Sequence, residues 1–166
     1  MFTIMEHKEI LKGRKLVYVG DGNNMANSLI VGGLKTGMQV SVACPEGYRP
    51  DSRVLDFANN YAGFSMFTEP MEAASGADVI FTDVWASMGQ EGEAEERKKI
   101  FGGKYQVNKE LLAVANSGCM VQHCLPAHRG EEITADVFES HADEIFDEAE
   151  NRLHAQKAVM VTLMEK

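Results

Sequence analysis

The sequence predicts an α/β/α sandwich on a mainly parallel sheet. Two observations carry this. Short apolar runs rich in β-branched residues alternate with helix-length segments along the whole chain. Strands separated by helices of this size imply a parallel sheet covered on both faces. At 166 residues with 45% hydrophobic content, the chain is long enough for one sizeable core and short for two.

The elements follow in order. Lys15 to Val19 is an apolar run that ends in "GDGNN". After it, "MANSLIVGGLKTG" places Met25, Leu29, Ile30 and Leu34 at helical spacing and closes on Gly37. "MQVSVAC" reads as a second buried strand, "PEGYRPD" as a loop, and Asp51 as the N-cap of a helix carrying Val54, Leu55 and Ala58. A strand at Phe64 to Phe67 precedes a short helix at Met71 to Ser75, and "ADVIFTD" is a β-branched strand. "VWASMGQEGEAEERKKIFGGKYQ" begins as a loop and becomes a charged helix, whose Glu and Lys residues read as a solvated face. Asn108 to Ala115 is helical, "CMVQHC" is a strand, and Thr134 caps a helix through Phe138. The last helices are "EIFDEA" and "ENRLHAQKAVMVTLMEK", with Arg152 at the start of the final one.

Right-handed crossovers put every loop that follows a strand on one edge of a parallel sheet, where ligands of such folds bind. Four polar segments are expected there: "GDGNN" (20 to 24), "TDVWASMGQ" (82 to 90), "HCLPAHRG" (123 to 130) and "DEAENR" (147 to 152). Residues far apart in sequence would share one cleft.

Composition narrows the partners. A net charge of −9 argues against non-specific nucleic-acid binding, which selects clustered Lys and Arg. Cys44, Cys119 and Cys124 are an odd number without zinc-type spacing, which argues against a disulfide scaffold and fits a reducing cytoplasm. No apolar run approaches a signal core or a membrane span.

Each polar segment has a bland reading and a chemical one. Gly20 and Gly22 supply two positions of GxGxxG, but Met25 replaces the third glycine, and Cys44 and Pro45 stand where a ribose-binding acid would follow the next strand. A nicotinamide cofactor is disfavoured. Asn23 and Asn24 serve either as helix caps or as paired donor and acceptor for a ligand. Asp83 is either a turn cap or the partner of a ligand ammonium. Ser87 and Gly89 suit a loop that closes over substrate, with Trp85 and Met88 packing beneath it. Cys124 is more often a small buried hydrophobe than a nucleophile; a third use is a weak S–H donor. Zinc on His123, Cys124 and His128 is disfavoured because alternate strand residues face opposite ways, so no metal is expected. A cation at a helix start calls for an anion, so Arg152 points to a phosphate or carboxylate ligand, or to a pair with Glu148 or Glu150.

Taken together, "GDGNN", "DxWxSMGQE", "YQV", "HCLP" and "EAENR" resemble, in order and spacing, the second half of the ornithine carbamoyltransferases, from about Phe2 to the C-terminus. The resemblance implies a Rossmann-like domain that binds L-ornithine at Asn24, Asp83, Ser87 and Met88. It implies carbamoyl phosphate at Cys124, Leu125 and Arg152, with Asp83, Cys124 and Arg152 catalytic and no cofactor. "SMG" resembles the ornithine-recognising loop, where putrescine and aspartate carbamoyltransferases differ. The implied chemistry belongs to arginine metabolism. The family's SxRT and HPxQ motifs do not occur here. Residues 1–14 therefore resemble an interdomain helix and linker, residues 15–166 the ornithine-binding domain, and an N-terminal carbamoyl-phosphate domain is the expected partner. The family trimer is built largely through that domain, so its oligomeric state does not carry over. A non-catalytic amino acid sensor and a putrescine-type enzyme are the competing expectations.

Overall fold

The computed structural model describes residues 1–86 and 91–165. Its centre is a five-stranded, wholly parallel sheet. The strands are β1 (Lys15–Val19), β2 (Gln39–Ala43), β3 (Phe64–Phe67), β4 (Val79–Thr82) and β5 (Met120–His123), in the order β3-β2-β1-β4-β5. Each strand-forming run of the sequence is found within a residue or so of its expected place.

Helices cover both faces. Leu16, Tyr18, Val40, Val42, Val79 and Phe81 face one core, which takes Ile4 from α1 (Phe2–Lys8), Leu29 and Ile30 from α2 (Asn24–Lys35), and Ala58 from α3 (Ser52–Ala58). Val17, Val19, Ile80 and Val121 face the other. It takes Ala73 and Ala74 from α4 (Pro70–Ala74), Phe101 from α5 (Ala94–Phe101), Leu111 from α6 (Lys109–Leu112), Phe138 from α7 (Ala135–Ser140) and Ile145 from α8 (Ala142–Met164). The period-two alternation along each strand separates the two cores. Local chemistry sets the helix starts: Asn23 accepts from the Met25 and Ala26 amides, Asp51 from Arg53, and Asn108 from Leu111.

Three expectations fail. The final helices are one: α8 runs unbroken for 23 residues, with Arg152 in its middle, so the helix-start argument for an anion does not apply. For the same reason "DEAENR" is not a loop after a strand but a face of that helix. Thr134 occupies the N-cap position of α7 without a capping bond to its side chain. The Glu and Lys residues of α5 are exposed as expected, while Arg97 between them is only 6% exposed.

β5 is an edge strand, and α8 closes it. The Val121 amide donates to Glu144 at 2.8 Å, and Glu148 follows one turn further along the same helix. Among the described residues, no helix is long and apolar enough to cross a membrane.

Candidate functional site

The chain moves from β1 outward to β2 and β3, then returns to lay β4 on the other side of β1. Loops after β1 and β4 therefore diverge, and a crevice opens at the carboxyl ends of the strands. A hollow of about 460 Å³ lies there, lined by Asn24, Asp83, Cys124, Leu125 and Arg152. An adjoining hollow of about 350 Å³ shares Asn24, Cys124 and Arg152 and adds Glu148. The structure thus brings together five of the residues singled out in the sequence. Ser87 and Met88 lie outside the described residues.

Asp83, one residue past β4, is 6% exposed. Its Oδ1 accepts from its neighbour's amide, Val84, at 2.8 Å and from Cys124 Sγ at 3.0 Å. Its Oδ2 accepts from Asn23 Nδ2 at 2.8 Å. Burial, followed by the hydrogen bond and charge of Asp83, drives the Cys124 thiol far above its usual range. Cys124 is therefore a protonated S–H donor rather than a thiolate nucleophile. Asn23 takes the cap, which leaves Asn24, the first residue of α2, exposed with its amide at the hollow.

His123 and Glu132 were not singled out together in the sequence, yet they fix the loop after β5. Both are fully buried, with His123 Nε2 at 3.0 Å from Glu132 Oε1. The Leu125 amide donates to His123 Nδ1 at 2.9 Å, so Nδ1 is the acceptor and Nε2 carries the proton that goes to Glu132. Glu132 Oε1 also accepts from the His128 amide at 2.6 Å. This network holds Leu125 at φ 54°, a left-handed conformation uncommon outside glycine, just where the chain turns into the hollow.

Donor atoms of Asp83, His123 and Cys124 lie within 4.8 Å of one another, which overturns the expectation that strand alternation keeps His123 and Cys124 apart. Cys124 lies beyond the last strand residue, where alternation no longer governs. The trio is still a poor metal set. Both ring nitrogens of His123 are already engaged, and the sulfur is protonated.

Arg152 is exposed and, among the described residues, pairs with neither Glu148 nor Glu150; the latter meets His154 at 3.3 Å. Glu148 faces the adjoining hollow from one turn earlier on α8. Burial, with a smaller push from Asp83 and a partial offset from the Met1 α-amino group, raises its carboxyl to about 7. A carboxyl whose folded value lies above its unfolded one loses stability as pH rises between the two. Glu148→Gln keeps the size of the side chain and carries no charge. Its melting temperature is expected to exceed the wild type by roughly 5–10 °C at pH 8, from about 2–3 kcal/mol, and to match it near pH 4.5. An equal shift at both pH values, read by thermal denaturation, would show that charge burial is not the cause.

A second contact missed in the sequence anchors the loop after β4. Arg97 donates to Asp21 Oδ2 at 2.7 Å and to the Trp85 carbonyl at 2.9 Å, and its guanidinium lies over the Tyr48 ring. Trp85 stacks on Phe101 beneath that loop. The loops after β1 and β4 are thereby tied together at their bases.

A largely apolar hollow with a few convergent polar groups, at the switch point of a doubly wound sheet, is the mark of a small-molecule-binding α/β domain. The chain belongs to the aspartate/ornithine carbamoyltransferase family, and residues 12–163 match its Asp/Orn binding domain. It is 56% identical to an ornithine carbamoyltransferase of Thermococcus kodakarensis, over 98% of this chain and 53% of that protein. Among solved structures, it resembles an ornithine carbamoyltransferase from Pyrococcus furiosus with a TM-score of 0.86 and 55% identity, covering 95% of this chain and 52% of that one. The anabolic ornithine carbamoyltransferase of Campylobacter jejuni gives 0.91 at 38% identity, covering 98% and 55%. The chain spans about half the length of the curated relatives it matches.

Proposed function

We propose that this chain supplies the L-ornithine side of a site that converts carbamoyl phosphate and L-ornithine to L-citrulline and phosphate. The observation that carries the reading is the convergence of Asn24, Asp83, Cys124 and Arg152 on one hollow. In this reading Asp83 holds an ammonium group of the diamino acid, Asn24 binds its amino acid end, and Ser87 and Met88 complete that contact. The side-chain amine attacks the carbamoyl carbon only when neutral, so it gives up a proton before the C–N bond forms. Cys124, bonded to Asp83, orients the amine without covalent chemistry. Negative charge gathers on the carbamoyl oxygen as the tetrahedral state forms, and Arg152 with the backbone at Leu125 stabilises it. Collapse then breaks the C–O bond, and the proton still held on the attacking nitrogen leaves with the departing phosphate.

The domain assignment follows the same logic. Residues 15–166 form the ornithine-binding domain and residues 1–14 the helix and linker that join it to a carbamoyl-phosphate domain. Beyond Asn151, α8 exposes Leu153, Met160 and Leu163 at 66%, 58% and 69%, an apolar face of the kind a further domain covers. Two measurements test the function: calorimetric titration of the chain with L-ornithine, putrescine and a bisubstrate phosphonate, and a citrulline assay with and without a separately expressed N-terminal half. The expected result is preferential ornithine binding, with turnover only when both halves are present. Ornithine binding without complemented turnover would favour an amino acid sensor, and a preference for putrescine would reassign the amine.

A further inference from the structure

We propose that Asn23 is a positioning residue that holds Asp83 in the single orientation the amine-binding site uses, in addition to capping α2; the proposal rests on the ornithine reading above. A cap requires only an acceptor, which serine, threonine or aspartate would supply equally well. Asn23 does more with its amide. Its Oδ1 takes three donors: the Met25 amide at 2.9 Å, the Ala26 amide at 3.3 Å and the buried Tyr18 hydroxyl at 3.3 Å. Reversing the amide would set its NH₂ against two backbone N–H groups, so the orientation is dictated by the helix start. The amide N–H is thereby aimed at Asp83 Oδ2, 2.8 Å away. Asp83 Oδ1 is left to Val84 and Cys124, and the carboxylate plane cannot rotate without losing one of three bonds. A helix start is thus converted into a fixed anion beside the ligand hollow.

The test separates capping from positioning. Asn23→Ser keeps a cap acceptor and removes the amide donor that reaches Asp83. Its melting temperature is expected to fall by roughly 3–8 °C, from the bond lost at the buried carboxylate, while calorimetry shows L-ornithine affinity reduced about tenfold. Asn23→Asp also caps, but donates to Asp83 only when the new carboxyl is protonated. Its affinity relative to the wild type is expected to recover as pH falls from 9 to 6. Tyr18 on β1, Asp21 after β1, Cys124 after β5 and Glu148 on α8 also face Asp83, so each comparison is made against wild type at the same pH. A crystal structure of ligand-free Asn23→Ser gives a reading free of ligand: the Asp83 carboxylate no longer keeps the single orientation that the bond from Asn23 Nδ2 sets. Wild-type affinity in Asn23→Ser, or an Asp83 carboxylate unmoved in it, would overturn the positioning role. Failure of wild-type chain to bind ornithine would instead remove the ornithine reading, with the orientation of Asp83 still deciding for or against Asn23.

Discussion

Replacing Asp83 with asparagine is expected to weaken L-ornithine binding by two to three orders of magnitude, about 3–4 kcal/mol. The change preserves volume and leaves an acceptor for Val84 and Cys124, but it sets an NH₂ against Asn23 Nδ2, so the loss combines the charge with one hydrogen bond. Asp83 is almost wholly withdrawn from solvent and meets only hydrogen-bond donors. A ligand ammonium at that position would lose its counterion in a site where water cannot replace it. Calorimetry on the chain, repeated on a full-length form, reads the effect. Unchanged affinity in both would remove Asp83 from the amine clamp and leave it as a turn residue.

Gly22→Ala is expected to destabilise the fold by roughly 3 kcal/mol or more and to lower the melting temperature by about 6–12 °C. The Gly22 amide donates to the Tyr48 carbonyl at 2.8 Å, and an added Cβ would fall 2.3 Å from both the Arg49 carbonyl carbon and the Pro50 nitrogen. Those neighbours are backbone, which cannot turn aside as a side chain would. The loop after β2 would have to move, and with it the 3.0 Å bond from the Asp51 amide to Asn27 on α2. Gly47→Ala in the same loop is the comparison: φ is 87° there, but no atom lies within 4 Å, so only the left-handed penalty of about 1 kcal/mol applies. Equal thermal shifts for the two variants would rule out the steric account.

What the sequence made legible is what depends on near neighbours. β-branched runs and the cap at Asp51 act within a few residues. The partner that approaches Gly22 could not be read, because it arrives from residues 48–50 through the fold. The same limit hid Arg97, which looks solvated within its charged run but meets Asp21 across 76 positions. His123 and Glu132 are nine apart with no helical or strand period joining them, so nothing in the spacing announces their contact. Arg152 was legible through the resemblance of "EAENR" to the family's motif, whereas the electrostatic argument for it presumed a helix break that does not exist. Asn23 and Asn24 sit side by side with identical chemistry. Only the geometry of α2 tells which one is consumed by the helix and which is free at the hollow.

The bond from the edge-strand amide of Val121 to Glu144 has a mechanical consequence. Sliding α8 along the sheet breaks it, so the helix that carries Arg152 and the strand that leads into Cys124 move as one piece. A load applied at the far end of that helix is thereby delivered to the rim of the hollow.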